Sequence, residues 1–269
     1  MRVWVLFLAL VLSATAQARE LKVCADPNNL PFSNRREQGF ENKLVQLVAR
    51  QLNADVKYVW WAQRRGNVRE TLKAGRCDLI PGVASDLETL ATTRPYYRSS
   101  YVFVTRTADK LELHGFDDPR LRTLTIGVQM VGDDFTNTPP AHALARRGII
   151  DNVRGYMLYG DYAQEAPART IIDDVARRRL DVAIVWGPLG GYFARQSKPG
   201  LHVQAVSPLL DGPMLPMAFD ISMGVRKEDQ ALRRELDDAL AKQAVGVEAL
   251  LHAYGIVAMA EDNGRRQPD

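Results

Sequence analysis

The chain has 269 residues, with 35 lysines and arginines against 32 aspartates and glutamates, for a formal charge of +3. Hydrophobic residues make up 46% and charged residues 25%, the balance of an ordinary globular protein able to bury a large core. Charges of both signs are interspersed and no long basic run occurs, which excludes the electrostatic footprint of a nucleic-acid binder.

Residues 1–18 carry the three parts of a signal peptide: Arg2, an apolar run from Val3 to Leu12, and Ala16-Gln17-Ala18 as a small-x-small cleavage site. The run is too short to span a bilayer comfortably. Cleavage after Ala18, export to the periplasm and no integral membrane segment in the mature chain are therefore expected. A short apolar run, Leu21, Val23 and Ala25, then breaks at Pro27 into the polar and aromatic loop Asn28-Asn29-Leu30-Pro31-Phe32. From Phe40 the apolar positions Leu44, Leu47, Val48 and Leu52 keep helical spacing. A β-rich stretch follows from Val56 to Trp61. Gly66 to Ala74 reads as a short helix closed by Gly75, and Cys77 to Val83 as a buried strand. A strand that leads into a loop and then a helix places ligand contacts at its carboxyl end in open α/β sheets.

The same grammar recurs. Leu124 to Val128 is a predicted strand, His142 to Gly148 a helical stretch, and Val153 to Leu158 another strand. Ile171, Ile172 and Val175 lead into the apolar run Leu180 to Trp186, and Gly187-Pro188-Leu189-Gly190-Gly191 reads as a turn. Two βαβ cores in succession imply two lobes rather than one extended sheet. Ser100 to Arg106 leaves the first lobe as a β-rich run. Phe219, Ile221, Met223 and Val225 alternate with smaller or polar residues as a half-buried strand. A helix with Leu232, Leu236 and Leu240 follows, is broken at Gly246, and gives way to a short helix through Leu250 and Tyr254. The expected fold class is α/β, two-lobed, each lobe a mixed sheet flanked by helices. The first lobe takes residues 19–106 and 214–260, the second 107–213, and the polar end 261–269 is a disordered tail.

Cys24 and Cys77 are the two cysteines of this chain. An even count in an oxidising compartment favours a disulfide, while a catalytic or metal-binding cysteine lacks a nearby histidine.

Thr92-Thr93-Arg94-Pro95-Tyr96-Tyr97, with the strand to Arg106, and Ser222 to Asp229 resemble the polar-amino-acid class of bacterial extracellular solute-binding proteins, family 3. Three segments resemble one branch more closely: Val23 to Asn34, Trp60 to Gly66, and Gly132-Asp133-Asp134. That branch is the quinoprotein-dehydrogenase-associated group, the MoxJ/XoxJ type encoded beside methanol dehydrogenases. The resemblance covers essentially the whole mature chain and implies a type II periplasmic binding protein fold, with the chain crossing twice between the lobes. It also implies departures. Amino-acid binders hold the ligand carboxylate with an arginine; the register here puts Asp86 at that position, with Arg94 nearby. Their helix-start cradle reads Gly132-Asp133-Asp134, where two carboxylates occupy the place of an anionic ligand. Their lobe-two acid is replaced by Gly187-Pro188. An ordinary α-amino acid is not expected to bind.

The four histidines, His114, His142, His202 and His252, are scattered without metal-ligand spacing. No nucleophile elbow, phosphate loop or dinucleotide fingerprint occurs, so no catalytic residue, metal or cofactor is expected. Asp133-Asp134 could serve acid/base chemistry or simply cap a helix. Trp60 and Trp61, with Arg64 and Arg65, could line the cleft or form an aromatic-basic interface patch. Equally, one tryptophan could be core and the arginines solvated. The candidate cleft, for a ligand or a partner, comprises Asp26, Asn28, Asn29 and Phe32; Trp60, Trp61, Arg64 and Arg65; Asp86 and Arg94; Gln129, Asp133, Asp134 and Trp186. The resemblance implies a periplasmic accessory protein that interacts with a PQQ-dependent methanol (alcohol) dehydrogenase. The alternative is the binding component of an importer for a small cationic or neutral solute, in an acidic cleft.

Overall fold

In a computed structural model of the chain, the described residues are 19–64, 66–85, 87–130, 137–157, 162–164 and 166–256. The expected signal peptide and polar tail lie outside them. Strand β1 (Arg19–Ala25) leads into the two-residue strands β2 (Asn28–Asn29) and β3 (Ser33–Asn34), then helix α1 (Phe40–Gln51) and β4 (Ala54–Trp60). A single helical turn, α2 (Asn67–Glu70), precedes β5 (Ile80–Ala84) and β6 (Ala91–Thr92). The ten-residue strand β7 (Tyr97–Arg106) follows. Beyond it run β8 (Ile126–Met130), α3 (Pro139–Arg146), β9 (Val153–Met157), α4 (Thr170–Ala176), β10 (Val182–Trp186), α5 (Gly187–Ala194) and β11 (Leu201–Ala205). The last described elements are β12 (Ala218–Val225), α6 (Gln230–Lys242) and α7 (Ala244–Ala253). No helix among the described residues is long and apolar enough to cross a membrane.

Strand β7 joins the two lobes. Its first residues, Tyr97 to Ser100, pair antiparallel with β12. Its remainder pairs with β10 from Tyr101 to Thr105 and with β11 from Val102 to Arg106. The second-lobe strands therefore continue the first-lobe sheet through one shared strand, in the order β5-β12-β7-β10-β8-β9. The parallel pair β1–β4 attaches to β5 through a bridge between Val23 and Leu79.

The apolar periodicity that predicts α1 is the face it buries. Phe40, Leu44, Val45 and Val48 pack on Leu21 and Val23 of β1 and on Met223 and Val225 of β12. The continuous apolar run of β10 reflects cover on both faces of its sheet. Val182 and Ile184 meet Phe103, Phe116 and Leu144 on one side, while Ala183 and Val185 meet Ile171, Leu189 and Phe193 on the other.

Three predicted elements differ. The helix expected over Gly66–Ala74 shrinks to α2, because Gly66 sits at φ 84° and the chain turns again at Thr71. The expected turn at Gly187–Gly191 is the start of α5. Its glycines serve close packing: a Cβ on Gly190 would lie 2.7 Å from Val102 Cγ2, and one on Gly187 2.5 Å from Ser99 Oγ. Gly246 breaks no helix; it lies inside α7, and the break falls at Gln243.

Cys24 and Cys77 form a disulfide with their Cα atoms 5.6 Å apart, as the pair in an exported chain suggested. The bridge packs among Leu72, Ile80 and Leu90 and ties β1 to the approach of β5. Its sequence separation is 53 residues. Replacing both cysteines by alanine is expected to cost about 4 kcal/mol on the chain-entropy relation, read by denaturant unfolding. A loss below about 1 kcal/mol would contradict a bridge that restricts the unfolded chain.

Candidate functional site: the cleft between the lobes

The loop after β1 is held by Asp26, which is 4% exposed. Its carboxylate accepts the backbone N–H groups of Asn28 at 2.8 Å and Gln63 at 2.7 Å, and the Tyr162 hydroxyl at 3.1 Å. The Ser33 hydroxyl donates to the Asp26 carbonyl. Tyr162 belongs to the segment between β9 and α4, so Asp26 stitches the first-lobe loop to the second lobe. Asn28 adds a second stitch, donating its side-chain amide to the Gln164 carbonyl. Asn29 donates to the side-chain oxygen of Gln63 at 3.0 Å.

Behind these stitches lies a cavity of about 340 Å³, within the range of small-ligand sites. Asn29, Phe32 and Gln63 line it from the first lobe, and Gln129, Trp186 and Leu189 from the second. Tyr97 and Tyr101 of β7 and Phe219 of β12 complete the walls. Trp186 organises the aromatic side. Its ring centroid is 5.4 Å from Tyr101 and 5.9 Å from Phe219. Its backbone N–H donates to Gln129 at 3.1 Å.

Among the described residues, a single charged side chain lines this cavity, and the sequence reading did not single it out. Glu41, the second residue of α1, is 7% exposed. Burial first, and the negative Asp26 second, push its carboxyl up to about 8. Among the described residues, no donor or cation offsets that shift. The carboxylate lies directly on the β5 backbone, where a Cβ on Gly82 would fall 2.1 Å from Glu41 Oε1. A signal for Glu41 existed in the sequence. It shares the helical stripe of Val45 and Val48, one and two turns on, and both are buried. An acid on an apolar stripe is a buried acid.

The structure brings Asn29, Phe32, Gln129 and Trp186 together in the cavity. Asp26 sits just behind it, beside Glu41, in a smaller recess that Trp61 also lines. Trp61 has the Arg76 guanidinium 4.8 Å from its ring centroid. Trp60 stacks on Tyr58 at 4.5 Å with Arg35 over its ring, and Arg64 is exposed beside Gln63. Arg94 is not brought to the cleft. Its backbone N–H donates to Asp237 at 2.7 Å, its side chain pairs with the same residue, and it faces a groove along α6 and α7. The hydrogen bonds between Thr93 and Met223 just after β6 fix that direction. Helix α3 begins at Pro139 with Thr138 as its N-cap; Asp133 and Asp134, like Arg65 and Asp86, lie outside the described residues.

The buried carboxyl has a measurable consequence. Unfolded glutamate ionises near pH 4.3, whereas Glu41 in the folded chain holds its proton to about 8. Between those values the folded state binds the proton that the unfolded state has lost, so stability falls as pH rises, then levels above about 8. Glu41→Gln removes this dependence. The variant is expected to gain on the parent by about 1.4 kcal/mol per pH unit between pH 5 and 8, measured by denaturant melts of both proteins. Parallel stability profiles would contradict the buried, unpartnered carboxyl.

Residues 21–245 match the family of bacterial extracellular solute-binding proteins, family 3. The chain is 31% identical over 263 residues to Protein MoxJ of Methylorubrum extorquens, spanning 93% of this chain and 85% of that protein. The crystal structure of the periplasmic binding protein XoxJ from Methylobacterium extorquens AM1 superposes with a TM-score of 0.72 at 37% identity, covering 90% of this chain and all of that one. MxaJ from Methlophaga aminisulfidivorans shares the fold, with a TM-score of 0.74 at 24% identity over 89% of this chain and all of that one. The type II two-lobed fold expected from the sequence is thus the observed one. The chain belongs to the family 3 extracellular solute-binding proteins and, within them, to the MoxJ/XoxJ type.

Proposed function

We propose that this chain is a periplasmic accessory or maturation protein that interacts with a PQQ-dependent methanol (alcohol) dehydrogenase, reaching the periplasm by cleavage of the signal peptide at 1–18. Its lobes take residues 19–106 with 214–260, and 107–213. Support for the partner comes from the kinship with MoxJ and XoxJ, a type that the sequence resemblance associates with methanol dehydrogenase systems. The observation that carries the role is the composition of the cleft. No arginine or lysine among the described residues lines it, so an α-amino acid's carboxylate finds no counter-charge there. Its one acidic side chain, Glu41, offers that group no counter-charge in either protonation state. A scaffold that keeps two lobes and a cleft while lacking the amino-acid contacts suits a protein partner.

The exposed Arg64 follows the cleft residue Gln63 in sequence, and Trp60, with Arg35 over its ring, precedes it by three residues. Aromatic and arginine side chains of this kind are the commonest interface anchors.

Deleting the gene is expected to lower active dehydrogenase while its polypeptide persists. With purified proteins, Trp60→Ala combined with Arg64→Ala should weaken binding to the dehydrogenase by more than about 1 kcal/mol, or roughly fivefold in Kd. If deletion leaves alcohol oxidation unchanged and abolishes uptake of a small solute, the protein is the importer component instead.

A further inference from the structure

We propose that the cleft between the lobes is a binding site for an organic ammonium group, held between the Glu41 carboxylate and the aromatic walls of Tyr97, Tyr101, Trp186 and Phe219. The inference does not rest on the partner reading above. Its first support is the state of Glu41: 7% exposed, lining the cavity, and without a hydrogen-bond donor or cation of its own. A buried carboxyl in that position lacks the partner that such groups ordinarily have. A ligand cation would supply it.

The walls supply the second support. Trp186 stands within 6 Å of both Tyr101 and Phe219 with tilted rings, 69° and 59° between planes. These rings line the cavity, and an ammonium within about 6 Å of a ring centroid is attracted to it. The cavity of about 340 Å³ accommodates a small alkylammonium. Asp26 does not compete for the role, because its oxygens already accept from Asn28, Gln63 and Tyr162. The acidic character of the cleft thus rests on Glu41 rather than on Asp26.

Asp26 also faces Glu41. So do the hydroxyls of Tyr58, Tyr96 and Tyr97, and burial raises the pKa values of these three tyrosines, so that they stay neutral through the useful range. The empty cleft therefore holds Glu41 protonated below about pH 8. A permanent cation binds only after that proton leaves, so its affinity rises with pH and levels off above about 8. The same chemistry is offered by a free alkylammonium and by a lysine side chain of a polypeptide.

Calorimetric titration between pH 6 and 9 separates these sources. One arm uses tetramethylammonium and n-butylammonium, with n-butanol as the neutral control. The other uses acetyl-Gly-Lys-Gly-amide, with norleucine in place of lysine as its control. Saturable binding of either cation is expected, rising about tenfold per pH unit below 8 for tetramethylammonium. Binding in the first arm alone assigns a free cation; in the second alone, a lysine. Glu41→Gln should weaken it at least tenfold while melting as cooperatively as the parent. Phe219→Leu, which leaves the carboxyl in place, should weaken it about fivefold. Absence of saturable cation binding overturns the inference, as does binding that Glu41→Gln leaves unchanged or that the neutral controls match.

Discussion

The constraint on which the rest of this structure depends is the sharing of β7 between two lobes. One strand can satisfy two sheets only if its pairing changes partner along its length, and the change falls between Ser100 and Tyr101. The cleft is the consequence. Tyr97 and Tyr101 lie four residues apart on that strand and so point to the same side of it. Register then places Trp186 opposite Tyr101 and Ile221 opposite Tyr97. Lobe geometry and cleft lining are therefore one fact about backbone pairing.

Upon that frame the first-lobe loop is pinned by a single carboxylate. Asp26 accepts three hydrogen bonds, two of them from backbone N–H groups and one from across the cleft. An ionised acid that receives several donors is stabilised in place. Glu41, immediately behind, receives none. Two acids in one neighbourhood are thus given opposite tasks: one spends its charge on structure, and the other keeps its valence for whatever enters. The absence of arginine and lysine from the described lining sharpens the division, because it leaves the cleft with one electrostatic preference only.

Much of the fold was legible in the sequence because period and composition agree there. The alternation in β12, the helical stripe of α1 and the doubly covered run of β10 each follow from burial on known faces. One element failed where glycine meant proximity instead of a turn. Gly187 and Gly190 let α5 lie on β7, and Gly246 sits in α7 with the helix unbroken; sequence alone does not say which backbone or side chain comes close. The site was legible in part. Asn29, Phe32, Gln129 and Trp186 meet in the cavity because loops at strand ends are where such folds gather contacts. Arg94 was drawn to the cleft by analogy of position, and the Thr93–Met223 hydrogen bonds turned it toward Asp237 instead. Glu41 escaped because acids are common in the first turn of helices, and its place on the apolar stripe was the clue.

The central claim is that this cleft is built around a buried carboxyl that has no partner among the described residues. A ¹³C NMR titration of the Glu41 side-chain carboxyl tests it most directly, since it reads one group in the folded chain. The account predicts a midpoint at about 8. A midpoint near 4.3, the value of a solvated glutamate, would contradict it.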